Sequence, residues 1–156
     1  MILSYSHIAI AVTDMEAALR FYRDVLGMTI SADWIQELKT ERSGSITGGR
    51  EIRRRCVWLR WAGMGGNLPG LALDEMYSPV PPDKRAELFD LGINHVAFWV
   101  DNIDEIIERA REGGFEVLHP HEAKSADYGE PEGSVIRSVF LRDPDRNLIQ
   151  CDMRVS

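Results

Sequence analysis

The sequence predicts an α+β fold built from two tandem βαβββ modules, on three observations. A strand-length run with histidine at its second position occurs twice, as Ser6-His7-Ile8-Ala9-Ile10-Ala11-Val12 and as Asn94-His95-Val96-Ala97-Phe98-Trp99-Val100. Each run leads into a capped helix with one apolar face, and each helix is followed by three segments of strand character. A repeat of this kind constrains architecture more firmly than local propensity does. The modules are expected over residues 1–77 and 92–153, joined by a connector over 78–91 that carries Pro79, Pro81 and Pro82, and residues 1–156 are expected to form a single domain.

Taken in order, Thr13-Asp14 and Asp101-Asn102 end the first strands and supply N-cap side chains. Met15, Ala18, Leu19, Tyr22, Val25 and Leu26 then recur at three and four, which places them on one helix face closed by Gly27. Ile103, Ile106, Ile107 and Ala110 do the same before Gly113-Gly114. Short strands follow at Met28-Thr29-Ile30 and Phe115-Glu116-Val117, and third strands at Arg55-Cys56-Val57-Trp58-Leu59-Arg60 and Arg137-Ser138-Val139-Phe140-Leu141-Arg142. The last strands are Leu71 to Glu75 and Leu148 to Asp152, the second entered through a tight turn at Asp143-Pro144-Asp145-Arg146-Asn147. A short helix is expected in the connector from Asp83 to Phe89, and the two insertions, Ser31 to Arg54 and His119 to Val135, are expected to be loops that bind or cover a ligand.

Composition narrows the function. The chain is 44% hydrophobic and 28% charged, which excludes a disordered chain, and a domain of this size buries roughly 70% of its surface without needing a structural metal. Cys56 and Cys151 fit no zinc or disulfide spacing, so both are expected to be free thiols in a reducing compartment. The first twelve residues lack a positively charged stretch, and no apolar run approaches the roughly 18 residues of a membrane span. The expectation is a cytoplasmic protein with no membrane partner. A net charge of −7 disfavours nucleic acid. The basic cluster Arg50, Arg53, Arg54 and Arg55 is expected to be a solvated strand entrance, with an anionic substrate or partner as the alternative.

The paired histidines carry the chemistry. Because His7 and His95 hold the same position in two related modules, a pseudo-two-fold arrangement would bring both imidazoles to one point. Residues two apart in a strand share a face, so Leu148, Gln150 and Asp152 form one candidate set and Leu71, Leu73 and Glu75 its mate. With Gln150 as third ligand and Leu73 as its mate, three protein ligands leave positions open for a chelating substrate. One step along, Asp152 and Glu75 would add two carboxylates. Imidazole suits Fe, Ni, Zn and Cu, and oxygen donors suit Mg, Mn and Ca. His119 and His121, flanking Pro120, and Tyr128, all in the second insertion, are candidate proton donors or hydrogen-bonding groups.

These stretches, with Phe21-Tyr22-Arg23-Asp24-Val25-Leu26-Gly27-Met28 and Phe140-Leu141-Arg142-Asp143-Pro144-Asp145-Arg146-Asn147-Leu148-Ile149-Gln150, resemble the vicinal oxygen chelate superfamily over nearly the whole chain. That superfamily includes glyoxalase I, type I extradiol dioxygenases, methylmalonyl-CoA epimerase, and fosfomycin- and bleomycin-resistance proteins. The resemblance implies a glyoxalase-like fold, two modules curled into a cupped, largely antiparallel mixed sheet around one divalent ion. His7, His95 and Gln150 would occupy three ligand positions and Leu73 the fourth. Most metal-using members have Glu where this chain has Gln150.

The resemblance points first to an extradiol-type ring-cleavage dioxygenase with Fe(II), Mn, Ni or Zn being the other metals, acting on a small substrate with two adjacent oxygens. A glyoxalase- or epimerase-like lyase or isomerase is the alternative, with Glu75 or Asp152 as the base. A metal-free drug- or metabolite-binding resistance protein is the other. A homodimer is implied in each case.

Overall fold

The computed structural model describes residues 5–39, 45, 49–61, 69–78, 92–124, 128–129 and 133–155. The chain divides into two compact units, Met1–Asp83 and Lys84–Ser156. Beyond Ser78, the expected connector and its short helix lie outside the described residues.

The first unit runs β1 (His7–Val12), α1 (Met15–Leu19), a π-helical segment (Arg20–Val25), β2 (Thr29–Leu38), β3 (Ile52–Arg60) and β4 (Gly70–Ser78). The second runs β5 (His95–Trp99), α2 (Ile103–Glu112), β6 (Val117–Lys124), β7 (Val135–Arg142) and β8 (Leu148–Arg154). Each forms a four-stranded mixed sheet, in the orders β1-β4-β3-β2 and β5-β8-β7-β6. In each, the first and last strands pair in parallel and the other pairs are antiparallel. This is the α+β architecture of two βαβββ modules.

The helices form where capping and periodicity place them. Asp14 accepts a hydrogen bond from the Ala17 amide at 2.9 Å and Asn102 from the Glu105 amide at 3.2 Å, each satisfying a backbone donor that the first helical turn leaves over. Met15, Ala18 and Leu19 are buried on α1, and Ile103, Ile106, Ile107 and Ala110 on α2. At the end of α2, Gly114 adopts φ 75°, the Phe115 amide bonds to the Ala110 carbonyl at 2.8 Å and the Gly114 amide to that of Arg111 at 3.0 Å. That is a Schellman closure, which needs a left-handed residue at its corner. The first helix differs from the expected continuous α-helix. From Arg20 it widens into π geometry, closed by a bond from the Leu26 amide to the Phe21 carbonyl at 3.1 Å, and the consecutive rings of Phe21 and Tyr22 are both fully buried.

The strands extend further into the insertions than expected. β2 continues to Leu38 and β3 begins at Ile52, while β6 runs to Lys124 and β7 begins at Val135. His119 and His121 therefore lie in strand β6, not in a loop, at a bulge where the register slips between Leu118 and His121. The turn after β7 is as expected. Asp143 accepts from the Asn147 amide at 2.7 Å and from its side chain at 2.8 Å, with Arg146 in the left-handed region at φ 66°.

The basic cluster is largely spent on structure. Arg54 binds Asp74 at 2.6 Å and Gln36 at 2.8 and 2.6 Å, and Arg53 lies 3.7 Å from Glu37. Arg55 grips Asp33 with two bonds of 3.0 and 2.8 Å and reaches Glu16 in the first turn of α1 at 2.8 Å. Arg137, its counterpart in the second unit, makes two bonds of 2.8 and 2.6 Å to Asp104 in the first turn of α2. The repeat thus extends to one ion pair that ties the third strand to the helix in both units. Hydrogen bonds from Arg55 and Arg137 hold the carboxyls of Asp33 and Asp104 below the usual carboxylate range. A carboxyl that is more acidic when folded stabilises fully above its unfolded pKa near about 4, and that contribution is lost as pH falls through the folded value. An Arg55→Met, Arg137→Met variant should therefore unfold at lower urea than the parent at pH 6, with the gap narrowing at pH 3. A gap independent of pH would overturn this account.

Candidate functional site

In the second unit β5 and β8 set the register. His95 lies opposite Leu148, Ala97 opposite Gln150, and Trp99 opposite Asp152. β7 continues the row, with Phe140 opposite Gln150 and Ser138 opposite Asp152. Because paired residues share a sheet face, His95, Gln150, Asp152, Phe140, Ser138 and Trp99 all lie on the face away from α2. The His95 ring meets Phe140 edge-on with centroids 5.8 Å apart, and Trp99 lies 5.8 Å from the ring of Tyr128.

In the first unit the same construction gives His7 opposite Gly70, Ala9 opposite Ala72 and Ala11 opposite Asp74. The His7 ring lies 4.8 Å from Trp58, as His95 lies against Phe140. This ladder shifts the expected correspondence between the last strands by one residue. The counterpart of Gln150 is Ala72, not Leu73, and that of Asp152 is Asp74, not Glu75. A one-residue slip exchanges the faces of a strand. Leu73 is fully buried opposite Ile10, and Glu75 pairs with Val12 and accepts from the Met15 amide at the start of α1, 3.2 Å away. Glu75 is thus on the helix side of its sheet, apart from His7. At the ladder position that Gln150 holds in the second unit, the first has only the methyl group of Ala72.

Both histidines are held alike. Nδ1 of His7 is 2.7 Å from the Ser6 hydroxyl, and Nδ1 of His95 is 2.6 Å from the Asn94 side-chain oxygen. An amide oxygen only accepts, so this contact puts a proton on His95 Nδ1, whereas the Ser6 hydroxyl can donate or accept and fits either tautomer of His7. Tethering one ring nitrogen so that the other can bind is the usual support of an imidazole ligand. The signal was in the sequence, since a polar residue precedes the histidine in both repeats.

Gln150 is 8% exposed, and its amide nitrogen donates into a polar cluster. Its neighbours there are the Tyr128 hydroxyl at 2.7 Å, the Ser138 hydroxyl at 3.2 Å, and the Asp152 carboxylate at 2.9 and 3.2 Å. Tyr128 in turn donates to Asp152 at 2.8 Å. Burial raises the Tyr128 pKa, Ser138 opposes the shift and Asp152 adds to it. The structure brings Tyr128, Gln150 and Asp152 together, and adds Ser138, which sequence reasoning did not single out. His119 and His121 stack on each other with centroids 4.5 Å apart at the β6 bulge, where His119 adopts φ 46° and His121 Nδ1 lies 2.8 Å from the His119 carbonyl. His121 also lines a cavity of about 190 Å³ with Ile103, Ile107, Pro120, Glu122, Arg137 and Ser138.

These donors suit a divalent ion in kind: two imidazoles, each held through Nδ1, and an amide oxygen that has no partner among the described residues. Among those residues no three His, Cys, Asp or Glu side chains converge. A set of two imidazoles and one amide contains only two such groups. Among the described residues no helix is long and apolar enough to cross a membrane.

Comparison with known proteins agrees with this architecture. The chain is 26% identical over 140 residues to the uncharacterized protein YaeR of Escherichia coli (strain K12), covering 89% of this chain and 87% of that protein. It is 28% identical over 141 residues to an iron-dependent extradiol dioxygenase of Rhodococcus jostii (strain RHA1), covering 88% of this chain but 39% of that enzyme. The solved structure of a glyoxalase family protein from Bacillus cereus superposes with a TM-score of 0.76 at 20% identity, over 100% of this chain and 97% of that one. The family model described as Glyoxalase/Bleomycin resistance protein/Dioxygenase superfamily matches residues 4–151. The chain belongs to that superfamily.

Proposed function

We propose that the protein is a metal-dependent enzyme that binds two adjacent oxygens of a small substrate, with extradiol-type ring cleavage as its reaction. The observation that carries this is the paired histidine arrangement, in which the same ladder position of both units holds an imidazole tethered through Nδ1. His7, His95 and Gln150 are the ligands in this reading, and Ala72 at the fourth position leaves coordination open to substrate. When bound, a divalent ion there supplies Lewis acidity and a template for neighbouring oxygens. Two histidines plus a carboxylate with open positions is the Fe(II) pattern, and here Gln150 stands where that carboxylate would be; Fe(II) is the metal of this reading, with Mn, Ni and Zn as the alternatives. Resemblance to the Rhodococcus enzyme supports the oxygen chemistry, although this chain spans less than half of that protein.

The chain's own residues then do the rest. Phe140, beside His95 in the second unit, offers apolar surface to a ring. The Tyr128 hydroxyl donates to Asp152 and accepts from Gln150, so its role in this reading is to hold the Gln150 amide in place. Glu75, whose carboxylate serves the α1 N-terminus, is a poor candidate base for the lyase or isomerase alternative. The reading includes a cytoplasmic homodimer with no nucleic acid partner.

The test is oxygen uptake on a panel of catechols after anaerobic loading with Fe(II), and in parallel with Mn(II), Ni(II) or Zn(II). Ring cleavage with Fe(II), abolished by chelator, is expected. Stoichiometric metal without oxygen uptake would turn the assignment to the isomerase class. Tight binding of a small molecule that ignores chelator would identify a metal-free binding protein.

A further inference from the structure

We infer that Asp152 is the positioning residue of this site: its carboxylate fixes the Gln150 amide with Nε2 turned into the protein, leaving Oε1 as the donor to a ligand, and anchors the Tyr128 hydroxyl beside it. The consequence for metal binding rests on the function proposed above. The orientation itself stands on contacts inside the second unit.

The two ends of a glutamine side chain have nearly the same shape, so its partners decide which end faces where. Asp152 is 2% exposed, and as a carboxylate it can only accept. Its partners among the described residues are neutral donors, the Tyr128 hydroxyl at 2.8 Å and Gln150 Nε2 at 2.9 and 3.2 Å. Turning the amide over would set its oxygen against the carboxylate and withdraw a donor from a buried charge, a costly exchange in a medium where unpaired charge is poorly solvated. The same turn would remove the bond to Tyr128 at 2.7 Å, because the tyrosine's single hydrogen already goes to Asp152. The contacts to Asp152 and Tyr128 therefore select one orientation, while the Ser138 hydroxyl at 3.2 Å can meet either end of the amide. Where a carboxylate ligand would present an oxygen either way round, the amide at position 150 needs this neighbour.

The first unit shows what happens without the amide. There the counterpart carboxylate, Asp74, is bound by Arg54 at 2.6 Å, and the position of Gln150 is taken by Ala72. With no amide to orient, the carboxylate is neutralised by a cation.

Two measurements on the full chain test the inference. The first is Mn(II) binding by equilibrium dialysis for the parent, Asp152→Asn, Gln150→Glu and the double variant. An asparagine at 152 accepts either orientation of Gln150, so Asp152→Asn should weaken Mn(II) binding about tenfold or more. With Gln150→Glu the sign should reverse, because a glutamate needs no orienting and is repelled by Asp152, so adding Asp152→Asn should tighten binding. Weakening in both backgrounds would mean a purely structural role and would overturn the inference.

The second measurement does not depend on metal: exchange of the Gln150 side-chain amide protons by ¹⁵N NMR. Slow exchange in the parent, faster by at least about tenfold in Asp152→Asn, is expected. Parent exchange at the rate of a free glutamine side chain would sink the inference. Protected Gln150 protons in a chain that binds no Mn(II) would uphold the orientation and defeat the metal reading alone.

Discussion

Replacing His7 and His95 together by alanine should reduce bound Fe(II) or Mn(II) from about one ion per chain to none, while the protein stays folded. The separation is expected because both histidines are exposed on their sheets and contribute little to the core. Each ring contacts one aromatic neighbour, Trp58 or Phe140, an interaction worth about 1 kcal/mol. For a chain of this size that corresponds to a few degrees in the thermal midpoint per site. Elemental analysis after anaerobic loading, with a thermal melt of each variant, decides the matter. Metal retained at full stoichiometry by the double variant would place the ion elsewhere and remove the basis of the proposed function.

The largest loss of stability is expected from Phe21→Ala. Phe21 is 0% exposed, lies edge-on to Tyr22 with centroids 5.1 Å apart, and sits in the π-helical segment that has no counterpart in the second unit. Emptying a site of this size costs about 3–5 kcal/mol, a large share of the roughly 5–15 kcal/mol that keeps a domain folded. Phe21→Leu keeps most of the volume and should cost about half as much. Urea unfolding should show the midpoint fall with little change in slope. A Phe21→Ala midpoint within error of the parent would mean that the segment is not part of the cooperative core.

The features repeated along the chain were legible in the sequence. His7 and His95, the caps Asp14 and Asn102, the apolar faces of both helices and the Asp143 turn each left a local signal of spacing or residue type. The register of the last strands left none. β4 is buried from Gly70 to Asp74 and β8 from Leu148 to Asp152, on both faces, so neither shows the alternation that would fix its phase. That is why Leu73 and Glu75 took the places that belong to Ala72 and Asp74. β2 hid its length for the opposite reason, being an edge strand exposed almost throughout. The cluster at Gln150 depends on Tyr128, which is distant in sequence, and on Ser138 across the sheet, so only the folded ladder brings them together.

The two cysteines have a practical corollary. Cys56 and Cys151 are free, 1% and 0% exposed, and burial pushes both thiols up to about 12. Nucleophilic attack by sulfur requires the thiolate, so neither gives alkylating reagents or peroxides much to react with while the fold is intact. Each unit thus contains one silent reporter, on β3 in the first and on β8 in the second. A maleimide that labels one cysteine before the other would show which half of the molecule opens first.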